Sequence, residues 1–249
     1  ELNEVIEKTV PQPSPNEVID EQFRVALVIG NGDYVFMGTL RNSTNDARLM
    51  TKTLKNLGFE VIEAIDATQK EMKRAVGRFS ERLDEGGENS VGLFYYAGHG
   101  IQSSGRNYLI PVDARIDREG DVSIESVGAD DILRSMEFAE ARVNFIILDA
   151  CRNNPLPRSV RSETRGLARM NSPKGSLIAY ATSPGGVAVD GDGDNSPYTL
   201  ALTAAMMEGD PVERMFRKVR NKVMEATKEM QIPWEASSLI GEDFFFLRK

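Results

Sequence analysis

Apolar residues along this chain follow two rhythms: short unbroken runs, and stripes spaced three or four positions apart. Val25 to Ile29, ending at Gly30, is an unbroken run, as are Val91-Gly-Leu-Phe-Tyr-Tyr-Ala-Gly-His99-Gly100, Val143-Asn-Phe-Ile-Ile-Leu-Asp149-Ala-Cys151 and Ser176 to Thr182. Each reads as a buried strand. Between them, Ala47, Met50, Leu54 and Leu57 recur at helical spacing, and Gly58 stops that helix. Phe59 to Ile65 is mostly apolar and strand-like. Thr68 and Glu71 form a capping-box pattern ahead of a stripe at Met72, Val76, Phe79 and Leu83, with Gly86 beyond. A helix is expected around residues 129–140 with Ile132, Leu133 and Met136 inward. Ser196-Pro197 opens another, with proline at its first turn. Asp210-Pro-Val-Glu213 opens what reads as the longest helix, striped by Val212, Phe216, Val219, Val223, Ala226 and Met230. Phe244 to Leu247 closes the chain as a short apolar strand, a candidate sheet edge. Strands separated by amphipathic helices predict an α/β fold with a mainly parallel sheet covered on both faces.

Residues 1–22 are polar and carry Pro11, Pro13 and Pro15 at alternate positions, which oppose both helix and strand, so they read as a linker or N-terminal arm. Residues 152–173 have no periodic pattern and hold Arg152, Arg158, Arg161, Arg165 and Arg169. At 249 residues, one large domain from residue 23 onward is the natural reading. The single cysteine excludes an internal disulfide, and one Cys with one His argues against a zinc site built on those ligands. The net charge of -8 argues against nucleic acid as the main partner. No apolar stretch approaches the ~20 residues needed to span a bilayer. The chain starts at Glu1 without a methionine, so a piece of a longer protein is expected and the compartment stays open.

The chain's one histidine, His99, and its one cysteine, Cys151, are 52 positions apart, each at the end of an apolar run. α/β sheets place active sites just beyond the carboxyl ends of their strands. A thiol needs a nearby base or cation to become a thiolate at neutral pH. The pair therefore points to a cysteine peptidase: Cys151 attacks the scissile carbonyl, His99 protonates the leaving amine, and water then hydrolyses the thioester with His99 as base. Gly98 and Gly100 let a substrate approach closely, and the backbone N–H groups of Gly100 and Cys151 are candidates for an oxyanion hole. The competing reading is an inert buried thiol and a structural histidine.

These pieces resemble the caspase-like clan, in particular the bacterial relatives of metacaspases called orthocaspases. The resemblance rests on Ala26-Leu-Val-Ile-Gly-Asn31, Leu40-Arg-Asn-Ser-Thr-Asn45-Asp46-Ala47, Tyr95-Tyr-Ala-Gly-His99-Gly100, Asp149-Ala-Cys151-Arg152, Ala181-Thr-Ser-Pro184-Gly185 and Gln231-Ile-Pro-Trp234…Ser237-Ser238-Leu239, and runs from about Phe23 to Lys249. It implies a caspase-like three-layer sandwich around a mainly parallel six-stranded sheet. It also implies a large-subunit-like part over 23–151, a linker loop over 152–173 and a small-subunit-like part over 174–249. Caspases carry Gln two residues before the cysteine; here Asp149 stands there, as in metacaspases and paracaspases. By resemblance, Asp46 and Asp149 form an acidic pocket for Arg or Lys before the cut, and a carboxylate pair suits a guanidinium. The alternatives are that Asp46 caps the helix it opens and that Asp149 only orients His99. Ala97 stands where metacaspases often have serine.

The resemblance further implies an Arg/Lys-specific endopeptidase that could process itself at Arg158, Arg161, Arg165 or Arg169; a solvated basic loop is the plainer alternative. It raises calcium activation, with Asp113, Asp130 and Asp131 near the places of a metacaspase aspartate cluster, although Arg158 replaces a further aspartate. Asp190-Gly-Asp192-Gly-Asp194-Asn195 starts like a calcium loop, but its twelfth position is Ala201, so it reads as a rim loop. Gly30-Asn-Gly32 lacks the third glycine of a nucleotide loop. The runner-up function is a non-proteolytic caspase-like interaction or signalling module.

Overall fold

The computed structural model describes residues 22–151, 166–183, 186, 188 and 193–247, and of Cys151 the backbone alone. The N-terminal arm, Arg158, Arg161, Arg165 and the Asp190–Asp192 stretch lie outside these. Along the chain the elements are β1 (Phe23–Gly30), α1 (Ser43–Asn56), β2 (Glu60–Ile65), α2 (Gln69–Gly86), β3 (Ser90–Ser103), β4 (Arg106–Leu109), α3 (Glu119–Glu125), β5 (Val127–Gly128), α4 (Ala129–Phe138), β6 (Val143–Cys151), β7 (Ser176–Tyr180), α5 (Pro197–Met206), α6 (Val212–Ala226) and β8 (Trp234–Ser237). The main sheet runs β2-β1-β3-β6-β7-β8. Its first five strands are parallel and β8 is antiparallel to β7.

Strand parity builds two cores. Ala26, Val28, Leu93, Tyr95, Phe145 and Ile147 face α1, α5 and α6, while Leu27, Ile29, Phe94, Tyr96, Ile146 and Leu148 face α2 and α4. Because side chains alternate across a strand, a run apolar at every position is one buried on both faces. The expected three-layer sandwich follows directly. α2 begins with the capping box of Thr68 and Glu71, and α5 begins at Ser196, whose side chain accepts from Thr199 N–H.

Four details depart from the pattern. α2, with 18 residues, is longer than α6, with 15. α6 ends at Ala226, so Met230 leaves the stripe and is exposed. β3 continues past Gly100 into a hairpin with β4, turning at Ser104-Gly105, both with positive φ. That pair is the local turn signal; the four residues of β4 are too few to show a period. Last, Phe244 to Leu247 is not a strand. Its carbonyls are taken elsewhere: Arg24 donates to Phe245 O and Phe246 O, and Val212 N–H to Phe244 O. Phe244 and Phe246 insert into the core against Phe145. The last strand of the main sheet is β8.

Beyond β1, Asn31 is fully buried and joins three segments. Its Oδ1 accepts from Ala67 N–H at 2.9 Å and its Nδ2 donates to Ile110 O at 3.0 Å. The next two amides, of Gly32 and Asp33, donate to Asp66 Oδ1. These amides are the groups a phosphate would need, and a carboxylate already takes them, in keeping with the missing third glycine. Asn31→Ala strands the buried Ala67 N–H, worth about 1–3 kcal/mol, and removes one of the two donors at Ile110 O, the other being Tyr96 Oη. The expected outcome is a loss of about 2 kcal/mol in a urea melt with an unchanged denaturant slope.

Candidate active site

β3 and β6 pair in parallel from Val91↔Val143 to His99↔Cys151. Neighbouring strands lie about 4.8 Å apart, so the histidine and the cysteine are register partners at the carboxyl end of the central strand pair. The histidine is held from several sides. Its N–H donates to Tyr34 Oη at 2.8 Å, and the Tyr34 ring lies 4.6 Å from the imidazole. Tyr96 Oη donates to His99 O at 2.8 Å. A Cβ on Gly98 would come within 2.7 Å of both tyrosine hydroxyls, so only glycine fits there. The imidazole Nε2 lies 2.8 Å from Gly38 O. A carbonyl only accepts, so Nε2 carries the proton and Nδ1 is the basic nitrogen.

Asp149 precedes Cys151 by two residues and turns toward α5. Its Oδ2 accepts from Ser196 Oγ at 2.6 Å and from Thr199 Oγ1 at 2.8 Å. Thr199 in turn lies 2.6 Å from Tyr95 Oη. With its own proton directed at Asp149, the threonine oxygen accepts from the tyrosine. Asp46 arrives from the first turn of α1, and its Oδ1 accepts from Asn195 Nδ2 and Ser196 N–H, both at 2.9 Å. Asn45 Nδ2 donates to Asp194 O. The Asp46 carboxylate therefore grips the entry of α5 rather than capping α1, and Asp149 serves the same junction. Ala97 is in register with Asp149; the hydroxyl donors come from α5 instead.

Both carboxylates are buried, with Asp46 2% and Asp149 8% exposed. Burial first, and the neighbouring Asp149 second, push the Asp46 carboxyl from 3.8 up to about 7, against the pull of the Asn195 and Ser196 hydrogen bonds. Burial also holds the Tyr95 phenol well above its ordinary range, so it remains a donor.

The three aspartates singled out for a hard cation, which needs six to eight oxygens, make other contacts. Asp113 Oδ1 accepts from Gln69 N–H at the start of α2. Asp130 and Asp131 pair with Arg106, and Asp131 also with Arg134. Among the described residues no three His, Cys, Asp or Glu gather as a metal site, and no helix is long and apolar enough to cross a membrane. Arg169, the one described arginine of the candidate processing set, is exposed and stacks 4.8 Å from the Trp234 ring. Sequence reasoning missed Tyr34, Gly38, Tyr95, Asn195 and Thr199. Only Ser196 carried a local signal, the Ser-Pro helix start, and that signal said nothing of Asp149.

A parallel α/β sandwich that sets a histidine and a cysteine side by side at its strand ends is the framework of an α/β cysteine peptidase. Residues 23–245 match the peptidase family described as caspase domain, and the chain belongs to it. It is 34% identical over 146 residues to human (Homo sapiens) mucosa-associated lymphoid tissue lymphoma translocation protein 1, covering 59% of this chain and 16% of that protein. Its mouse (Mus musculus) homolog is 36% identical over 129 residues, covering 52% and 15%. The match thus spans about one sixth of these relatives' length. Both are mammalian, and the resemblance to the bacterial members stays with the motifs that suggested it.

The raised Asp46 has a consequence for stability. The folded protein keeps a proton up to about pH 7 that the unfolded chain releases near 3.8, so Asp46 costs stability progressively as pH rises between those values. Asn at this position can still accept from Asn195 and Ser196. Asp46→Asn is therefore expected to be more stable than the parent at pH 8, with the gain gone by pH 4, as read from urea melts across that range.

Proposed function

We propose that this domain is a cysteine endopeptidase that cleaves after Arg or Lys, with His99 and Cys151 as its dyad and Asp46 and Asp149 as the pocket for the residue before the cut. The observation that carries the reading is the meeting of two buried carboxylates at the α5 entry, one of them, Asp149, two residues before Cys151 on β6. Two carboxylates drawn together out of water are held at a cost unless a cation joins them. A guanidinium offers five donors in a plane and satisfies both. The His99 tautomer fixed by Gly38 suits the chemistry: Nδ1 takes the thiol proton, the imidazolium returns it to the leaving amine, and the cycle repeats with water. The N–H groups of Gly100 and Cys151 are assigned to the developing oxyanion.

A panel of fluorogenic peptides ending in Arg, Lys, Asp or Ala tests this. Arg and Lys peptides are expected to turn over and Asp peptides not, with Cys151→Ala inactive. Asp149→Asn is expected to lower kcat/KM for Arg on the order of a hundredfold, the penalty of removing one partner of a buried charge pair. A cation binds the ionised Asp46, so KM for Arg peptides falls as pH rises through about 7. A chelator is expected to leave the rate unchanged. Cleavage after Asp would refute the pocket, and a folded but silent enzyme would favour the interaction module.

Self-processing, if the loop is a substrate, falls at Arg158, Arg161 or Arg165 rather than Arg169. Peptidases need an accessible, extended stretch, whereas Leu167 and Met170 are buried and Ala168 is bonded at both N–H and C=O to Asn107. Mass spectrometry of aged protein is expected to show fragments beginning at 159, 162 or 166, absent from Cys151→Ala. A fragment beginning at 170 would overturn this.

A further inference from the structure

The dyad's strand ends are braced from behind. Asp149 lies on the sheet face that packs on α5, while Ala150 belongs to the opposite face, with Leu167 and Met170. There the chain from residue 167 to 170 crosses the sheet edge as a strap. Asn107 of β4, 1% exposed, holds it in a two-point grip: Nδ2 donates to Ala168 O at 2.8 Å and Oδ1 accepts from Ala168 N–H at 2.6 Å. Met170 N–H donates to Tyr180 Oη at 2.9 Å. So fixed, Leu167 presses on the dyad's neighbours. A Cβ on Gly100 would meet Leu167 Cδ2 at 3.1 Å and Ala150 Cβ at 3.0 Å.

We propose that Asn107 is a positioning residue for the reaction: through Ala168 and Leu167 it fixes the Gly100 and Ala150 backbone, and with it the direction of the Gly100 N–H. An amide carboxamide is the side chain that can replace a backbone partner at both N–H and C=O. Aspartate in its place has no donor and repels the Ala168 carbonyl. The catalytic part of this role rests on the peptidase reading; the structural coupling does not.

The test uses the full chain with Asn107→Asp and Leu167→Ala, the second reaching Gly100 without touching the grip. Hydrogen exchange is read on the peptides covering 97–103 and 166–170, and needs no substrate. Both variants are expected to exchange faster at 97–103, and Asn107→Asp also at 166–170. Wild-type exchange at 97–103 in both variants overturns the proposal. Steady-state cleavage of an Arg-ending peptide amide is expected to lose about tenfold or more in kcat, with KM within twofold, since a misplaced catalytic donor costs on that order. Alkylation of Cys151 by iodoacetamide, which develops no oxyanion, is expected at the wild-type rate. Equal losses in turnover and alkylation would make the role merely structural and overturn the positioning claim. If the wild type turns over no peptide, the peptidase reading fails while the exchange result still decides the coupling.

Discussion

The register between β3 and β6 is the constraint on which the site depends. Nine consecutive residue pairs run from Val91↔Val143 to His99↔Cys151. A slip by one residue in either strand would turn every side chain to the other face. Asp149 would then leave α5 for the α2 and α4 side, and Tyr95 would leave Thr199. The register is secured because both faces are apolar and differently shaped: Leu93, Tyr95, Phe145 and Ile147 fit one core, Phe94, Tyr96, Ile146 and Leu148 the other. The hydrophobic pattern that folds the sheet thereby also sets which residues meet at its edge.

A second constraint follows from where Asp149 lands. Two carboxylates in a buried space repel, and donors gather on them. Ser196, Thr199 and Asn195 side chains and the Ser196 N–H converge on them. These groups open α5, where unpaired N–H groups and the helix dipole favour negative charge. Burial first, and the Asp149 charge second, leave Asp46 a proton up to about pH 7. Ionising Asp46 in this setting costs stability, so the same arrangement weakens the fold at high pH.

Sequence reading reached β1, β2, β3, β6, β7 and five of the six helices, and singled out His99 and Cys151, because each has a local signature: unbroken apolar runs, three-four stripes, a capping box, a cysteine and a histidine at run ends; β4, β5 and β8 are too short to carry one. It reached Asp46 and Asp149 through a resemblance, not through spacing. It misjudged Phe244–Leu247 because a short unbroken apolar run describes any extended buried stretch, and distant residues, Arg24 and Val212, decide where those carbonyls bond. Tyr34 and Gly38 were hidden for the same reason. Nothing local marks a loop residue whose role is to touch His99, and contacts across long sequence separations leave no period to read.

The two faces of the sheet edge divide the work. On one, α1 and β6 supply the carboxylates and α5 the hydroxyls around them; at the edge itself the loop before α1 supplies Tyr34 and Gly38 to the histidine. On the other, β4 and the strap at 167–170 press on Gly100 and Ala150. The chain passes from Cys151 through the arginine-rich loop to reach that strap. The segment that follows the nucleophile therefore returns to brace it, and a cut within the loop separates the nucleophile's strand from its brace covalently while leaving the Asn107 grip intact. The brace is thus held at two points, by the Asn107 carboxamide and by Tyr180 Oη, and neither anchor runs through the loop.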